Sequence, residues 1–217
     1  MNRSGAEILW EVASVLARDA ADVSRARGEP GPNLPPLLFF TDPARTPRPW
    51  ETAARLPAGS GVVYRSFGAP DAREAALRLR EATRRRDVLL LIGLDADLAE
   101  AVGADGLHLP ERALAQAPAL AARQPGWRIT GAAHTAGALS RATGLDAAVL
   151  SPVFAAGGAS AGRAALGVEA FSDLVRTATV PVYALGGVNA ANARALIGSG
   201  ACGLAGVSAI RTAFGPD

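Results

Sequence analysis

The last two apolar runs of the sequence both end in glycine, in a pattern suited to binding an anion. One run continues into YALGGVN (183–189) and the other into GLAGVSAI (203–210). Glycine lets main-chain N–H groups approach an anion closely, and a helix N-terminus adds a favourable dipole. These two strand ends therefore predict a phosphate site formed by Gly186, Gly187, Gly206, Val207 and Ser208. The alternative is that the glycines only form tight turns between strand and helix.

Two further side chains could do chemistry beside such a site. His134 follows the apolar run RITGAA, and an imidazole, whose ordinary pKa lies near neutrality, suits proton transfer. Arg65 follows the run GVVY and could hold an anionic group with two hydrogen bonds. Each has an alternative interpretation: His134 could bond to a neighbouring loop, and Arg65 could pair with Asp42 or Glu111. The second histidine, His108, lies within the run GLHL and is expected to be part of the scaffold.

Eight short apolar runs, alternating with helical segments, would position these residues. The runs are 37–40, 61–64, 88–92, 106–109, 128–133, 147–151, 181–185 and 203–207. Continuous apolar strands between helices indicate parallel strands that are covered on both faces. Eight of them favour a closed (β/α)8 TIM barrel over an open doubly wound sheet. In such barrels the carboxyl ends of the strands carry the site, and a phosphate commonly lies after strands seven and eight.

Outside the eight strand-like runs, the sequence predicts one long helix at the N-terminus and a short segment at the C-terminus. An amphipathic helix from about residue 5 to 25 is followed by GEPGPNLPP, which breaks the helical pattern. We therefore expect an N-terminal helix and linker over 1–33 and the barrel over 34–217, as a single domain. So few residues follow the last run that the eighth helix should be short or missing. The N-terminal helix is expected to cover that gap or the barrel floor, and the Ala/Gly-rich segment 155–165 predicts a mobile loop.

The composition excludes several classes of function. All 22 basic residues are arginine, so no lysine can form a Schiff base, and the net charge is only +2 despite a pI of about 9.3. The basic residues are interspersed with acidic ones, which argues against nucleic-acid binding. No apolar run approaches the ~18 residues that span a membrane, and Cys202 is the single cysteine. These features predict a cytoplasmic protein without a membrane partner, and they leave a homo-oligomer open.

Five motifs together resemble the thiamine phosphate synthase/TenI family from about residue 37 to 210. They are TD after the first run, GADGLHLPE, ITGAAH, GLDAAVLSPVF and PVYALGGVNAANARALIGSGACGLAGVSAI. The resemblance implies a (β/α)8 barrel of thiamine biosynthesis. Synthase members of the family join an aminopyrimidine diphosphate to a thiazole phosphate with Mg²⁺. TenI members include a tautomerase that moves a proton on the thiazole phosphate without a metal, and His134 matches the histidine implied in that transfer.

The sequence departs from the synthase pattern where that pattern handles metal and pyrophosphate. Of the Gln-x-Arg-x-Lys after the second strand only Arg65 remains, and Gly93 and Leu94 replace Asn-Asp after the third. Pro110 to Ala113 replace Gly-Gln-Glu-Asp, Ala132 replaces a serine, and the Thr-x-Thr-Lys of the sixth loop becomes about 156–159. We therefore expect no metal site and no cofactor, with Mg²⁺ needed only if the chain is a synthase. Asp95 or Glu111 could still bind a metal through a shifted register.

Three functions remain open at this point. The first is a TenI-like, metal-independent tautomerase in which His134 is catalytic and Arg65 helps to bind a thiazole phosphate. The second is a thiamine phosphate synthase with a reworked pyrophosphate site, in which Arg65, Arg112 and Arg163 partly replace lysine and metal. The third is a non-catalytic binder of a thiamine-pathway phosphate. In all three, the partner is a small phosphate-bearing molecule.

Overall fold

Eight parallel strands close into a barrel in the order of the sequence. The computed structural model describes residues 3–158 and 161–216. The strands are β1 (Leu37–Phe40), β2 (Gly61–Tyr64), β3 (Leu89–Gly93), β4 (Gly106–Leu109), β5 (Arg128–Ala133), β6 (Ala147–Leu150), β7 (Val182–Ala184) and β8 (Gly203–Gly206). Each strand pairs with the next, and β8 closes on β1 through Leu37 and Leu204. The predicted TIM barrel is confirmed, and the predicted strand ends are correct to within one residue.

Helices lie outside the barrel between most strands. They are α1 (Gly5–Ala26), α2 (Pro49–Ala53), α3 (Ala72–Arg84), α4 (Ala96–Val102), α5 (Ala117–Arg123), α6 (Ala136–Ser140), α7 (Gly167–Thr177) and α8 (Ser208–Phe214), with 3-10 turns at Glu111–Gln116 and Ala193–Leu196. The last helix, α8, has seven residues, so the expectation of a short eighth helix is confirmed. Within the described residues, no helix is long and apolar enough to cross a membrane.

The N-terminal helix α1 is part of the barrel packing. It begins with a capping box, in which Glu7 N donates to Ser4 Oγ (3.2 Å) and Ser4 N donates to Glu7 Oε2 (2.7 Å). One face of the helix is buried at the spacing i, i+3, i+4, i+7: Leu9, Val12, Ala13 and Leu16. This face packs against β8 and β1, next to the turn Ala193–Leu196 and α8.

The segment after β7 differs from the sequence expectation. NAANARALIGSG was expected to be helical, but only the 3-10 turn Ala193–Leu196 forms. Helix α1 packs against β8 beside this short segment, so the crossover before β8 is reduced as well as the short helix after it. Two residues of the predicted mobile loop 155–165, residues 159 and 160, lie outside the described residues.

Successive strand residues face alternately into the barrel and toward the helices. The side chains that fill the interior include Leu38, Phe40, Val63, Leu91, Val149, Tyr183 and Ala205. Tyr64 belongs to the outer layer between strands and helices. Because side-chain direction alternates along a strand, Arg65 is directed toward the barrel mouth at the carboxyl ends of the strands.

Candidate functional site

The carboxyl ends of β7 and β8 border a cavity of about 370 Å³, which we call the mouth cavity. Its other walls come from the loops that follow β1, β2 and β6. All six residues predicted to bind phosphate line it: Arg65, Gly186, Gly187, Gly206, Val207 and Ser208. The barrel thus brings the two glycine-ended strands and the arginine of β2 together. Their binding of phosphate stays a prediction.

Gly186 and Gly187 form a turn that only glycine can make without strain. Their φ angles are +97° and +67°, in the left-handed region. A Cβ on Gly186 would lie 2.6 Å from Pro152 Cα, and one on Gly187 would lie 2.8 Å from the carbonyl carbon of Phe154. Phe154 N donates to Gly186 O (2.9 Å), so the loop after β6 packs directly on this turn. These two glycines therefore do form a tight turn, and this turn is compatible with anion binding.

The same turn leaves main-chain donors without acceptors. The side-chain amides of Asn189 and Asn192 donate to Gly187 O at 3.2 and 2.9 Å. A trans peptide is planar, so the N–H of Val188 points to the side opposite that carbonyl. Among the described residues, no acceptor bonds to the N–H groups of Gly187, Val188 and Val207. Unsatisfied donors on two neighbouring strand ends are what an oxyanion site requires.

Two arginines and one carboxylate give the cavity a positive charge. Arg45 Nη2 lies 2.9 Å from Asp42 Oδ2, and Arg65 Nη2 lies 3.9 Å from the same oxygen. The ion pair of Arg65 with Asp42, foreseen as an alternative, is therefore present but long. Arg65 Nε also donates to Thr41 O (2.8 Å), while its buried Nη2 has no hydrogen-bond partner among the described residues.

Burial and neighbouring charges shift the pKa values of Arg65 and Asp42. Burial lowers the pKa of Arg65 to about 10. The negative charge of Asp42 partly offsets this lowering, and the positive charge of Arg45 adds to it. The guanidinium nevertheless stays charged at neutral pH. The pKa of Asp42 is lowered, chiefly by its hydrogen bond with Arg45, so its carboxylate is ionised. Two cations share one anion, and a further anion in the cavity would find net positive charge.

His134 is held in one tautomer at the end of β5. Its Nδ1 lies 2.8 Å from the main-chain carbonyl oxygen of Ser151, which can only accept a hydrogen bond. Nδ1 therefore carries the proton, and Nε2 of the neutral ring is free to accept one. Both interpretations of this residue are compatible with the geometry, because bonding to the neighbouring loop is what prepares Nε2 as a base. His134 does not line the mouth cavity, unlike the six predicted binding residues.

His108 lies inside the barrel below Arg65. Its ring meets the ring of Phe40 edge-on at a centroid distance of 4.9 Å, and its Nδ1 lies 2.9 Å from Thr130 Oγ1. Burial, with a smaller contribution from the positive Arg65, lowers the pKa of His108 to about 3. A buried, neutral histidine agrees with its interpretation as a scaffold residue.

The carboxylates that could bind Mg²⁺ are engaged elsewhere. Asp95 caps α4, accepting a hydrogen bond from Leu98 N (2.8 Å). Glu111 Oε2 accepts the N–H of His134 (3.0 Å), and its Oε1 lies 3.7 Å from Arg141 Nη2. Over residues 3–158 and 161–216, no three His, Cys, Asp or Glu side chains are grouped so that they could hold a metal. Asp95 and Glu111 are therefore not part of a metal site formed by protein side chains alone, and the expectation that no metal is bound stays a prediction.

Sequence reasoning missed three residues of the site. Arg45 lines the mouth cavity, and Asn189 and Asn192 hold the turn at Gly187. Signals for them existed: Arg45 stands three residues after Asp42 in TDPAR, and both asparagines follow directly in GGVNAAN.

The chain is similar in sequence and in structure to known proteins of one family. Residues 44–210 match the family model described as thiamine monophosphate synthase. A thiamine-phosphate synthase of Methanoculleus marisnigri is 34% identical over 164 residues, covering 72% of this chain and 78% of that protein. One from Chlorobium luteolum is 33% identical over 196 residues, covering 86% and 90%. The solved thiamine phosphate pyrophosphorylase from Pyrococcus furiosus superposes with a TM-score of 0.70 and 25% identity, over 84% of this chain and 93% of that one.

Proposed function

The chain belongs to the thiamine monophosphate synthase family, and we propose that it binds a thiazole phosphate and shifts a proton on its ring without a metal or other cofactor. The observation that carries the proposal is the mouth cavity. It combines N–H groups at the ends of β7 and β8, which have no acceptor among the described residues, with two arginines that share one carboxylate. Such donors and charges match a phosphate monoester.

His134 supplies the acid–base chemistry in this proposal. With the phosphate in the mouth cavity, the thiazole ring lies across the barrel mouth, between the ends of β2 and β3 on one side and His134 at the end of β5 on the other. Nε2 takes a proton from one ring position, and the resulting imidazolium returns it to another. The substrate is isomerised, and His134 ends the reaction neutral, as it began. The hydrogen bond from Nδ1 to Ser151 O supports the proposal, because it stabilises the imidazolium and keeps Nε2 available.

The proton shift itself is the test. Purified protein is incubated with one tautomer of the thiazole phosphate in D₂O with chelator, and exchange and isomerisation are followed by NMR. We expect acceleration over buffer, and a loss of about 100-fold or more in His134→Gln. Inorganic phosphate should bind both proteins equally, which separates catalysis from binding. No acceleration by the wild type, or equal acceleration by the variant, would overturn the proposal.

A synthase activity is the second candidate, and a specific observation favours it. The relatives compared above are named thiamine-phosphate synthases and are matched over most of their length. Arg65 lines the mouth cavity, whereas Arg112 and Arg163, which were also considered as substitutes for lysine, are exposed. Coupling of the aminopyrimidine diphosphate with the thiazole phosphate, with and without Mg²⁺, tests this activity. Absence of product under both conditions rules it out.

A binding protein without catalysis is the third candidate. It is supported by the Ala155, Ala156 and Gly157 lining of the loop after β6, which offers no reactive side chain. Tight binding of thiazole phosphate or thiamine phosphate without turnover of either would select this function over the other two.

A further inference from the structure

Two large apolar side chains are exposed at the barrel mouth, on neighbouring strand ends. Phe67, after β2, is 69% exposed, and Leu94, after β3, is 40% exposed. Both have a left-handed backbone, with φ of +51° and +64°. For residues other than glycine this conformation costs about 1 kcal/mol or more, and strain of this kind is concentrated at functional sites. Exposure and backbone strain together make a packing role a poor explanation for either side chain.

Phe67 lies against the arginine that lines the mouth cavity. The guanidinium carbon of Arg65 is 5.3 Å from the ring centroid of Phe67 and 5.4 Å from that of buried Phe40. A Cβ on Gly93 would lie 3.4 Å from Arg65 Cγ, so the end of β3 also borders the Arg65 side chain. The exposed ring is therefore beside the arginine of the proposed phosphate site, and Leu94 directly follows Gly93 at the end of the adjacent strand β3. Like His134, neither Phe67 nor Leu94 lines the mouth cavity itself.

We propose that Phe67 and Leu94 form an apolar rim that binds the flat heteroaromatic ring of a phosphate monoester whose phosphate lies in the mouth cavity. The inference rests on the proposed function and adds the residues that determine specificity. A neutral aromatic ring can stack on Phe67 and contact Leu94, whereas inorganic phosphate and pyrophosphate have no apolar part to bury. The rim therefore selects ring-bearing monophosphates over purely inorganic anions of the same charge.

The test compares ligands that do and do not carry a ring. Isothermal titration calorimetry gives the Kd of thiazole phosphate, inorganic phosphate and pyrophosphate for the wild type and for Phe67→Gly. Glycine accepts the left-handed backbone, so this variant should keep or raise Tm. We expect its affinity for thiazole phosphate to fall about tenfold, the value of one aromatic contact, with no change for inorganic phosphate. Leu94→Gly should act in the same direction with a smaller factor.

Leu77→Ala is the matched control, because Leu77 is 47% exposed on α3. It should leave all three affinities unchanged. Equal affinity of the wild type for thiazole phosphate and inorganic phosphate, or an unaltered Phe67→Gly, overturns the rim while the phosphate site stands. A lowered Tm with equal losses for both ligands would make Phe67 a structural support of Arg65 and also overturn it. If the wild type binds neither ligand, the proposed function fails and the rim fails with it.

Discussion

His134 Nδ1 donates a hydrogen bond to the main-chain carbonyl oxygen of Ser151, across 2.8 Å. The hydroxyl of the same serine is farther away, at 3.2 Å from Nδ1. The tautomer of His134 is therefore set by the main chain where it leaves β6, and any residue at position 151 can provide that carbonyl.

This relationship predicts that Ser151→Ala hardly changes the rate of catalysis. We expect the rate of the proton shift to stay within about threefold of the wild type, since only the weaker of the two contacts is lost. His134→Gln, measured in the same NMR assay, is the comparison. A loss in Ser151→Ala as large as that in His134→Gln would show that the hydroxyl, and not the carbonyl, orients the ring.

Gly186→Ala should disturb both stability and anion binding. The added Cβ would lie 2.6 Å from Pro152 Cα at a φ of +97°, so the turn or the loop after β6 must move. We expect the free energy of unfolding, measured by urea denaturation, to fall by about 2 kcal/mol. Inorganic phosphate should bind more weakly, because the neighbouring N–H groups are displaced.

Gly157→Ala provides the control for this change. Gly157 lines the same cavity, but a Cβ there would have no atom within 4 Å. Its effect should stay within about 0.5 kcal/mol. Equal stability of the two variants would mean that the 186–187 turn adapts at no cost, contrary to the packing described above.

Arg45→Gln tests the charge of the mouth cavity. The substitution removes one guanidinium and leaves Asp42 to neutralise Arg65, so the net positive charge is lost. We expect the affinity for inorganic phosphate to fall about tenfold at low salt, the value of one charge-assisted hydrogen bond. The difference should shrink as salt is added, because screening weakens the charge contribution.

The control for Arg45 is Arg48→Gln. The Arg48 side chain is 68% exposed and pairs with Glu51 at 3.0 Å. This variant removes the same charge three residues away and should bind phosphate as the wild type does. Similar losses in both variants would mean that only overall charge matters, not the position of Arg45 in the cavity.

The barrel could be predicted because its signal is local. Each strand is a short apolar run bounded by polar, proline or glycine residues, and eight such runs leave few other arrangements. The helix expected after β7 failed for an equally local reason. The Asn189 and Asn192 side chains bond to the main chain around Gly187, and Gly198 and Gly200 have φ of +82° and +83°. Alanine content alone does not overcome these competing bonds and turns.

The sequence could predict only those site residues that lie at strand ends, because the barrel brings all strand ends to one mouth. Strand ends meet at one mouth in any such barrel, so Arg65 and the glycines of β7 and β8 could be assigned together. Arg45 was missed although TDPAR places it three residues after Asp42, because the sequence does not show that the turn at Asp42, to which Arg45 N donates, brings this side chain to the cavity. The position of His134 outside the mouth cavity could not be foreseen either, because a place at a strand end does not determine which cavity a side chain borders.

Helix α1 should contribute to the stability of the barrel as a core element. Leu16 is 1% exposed within the face that packs on β8 and β1. Leu16→Ala should lower the free energy of unfolding by about 3 kcal/mol, through lost burial and the cavity left behind. Val23→Ala, on the same helix at 52% exposure, should change it by less than about 0.5 kcal/mol. A small effect of Leu16→Ala in urea denaturation would show that α1 is only loosely attached.

His108 should make the barrel sensitive to acid, and the sign follows from its pKa. Burial lowers that pKa to about 3 from an ordinary 6.5, so between these values the unfolded chain binds a proton that the folded chain does not. The wild type should therefore lose about 1.4 kcal/mol per pH unit from this group as the pH falls below 6.5. His108→Asn keeps a polar group toward Thr130 Oγ1 but cannot titrate. Urea denaturation at pH 7, 6 and 5 should show a shallower loss for the variant, even if it is less stable at pH 7 for want of the contact with Phe40. Identical pH slopes for the two proteins would mean that the pKa of His108 in the folded chain is not lowered by its burial, and that this histidine does not make the barrel sensitive to acid.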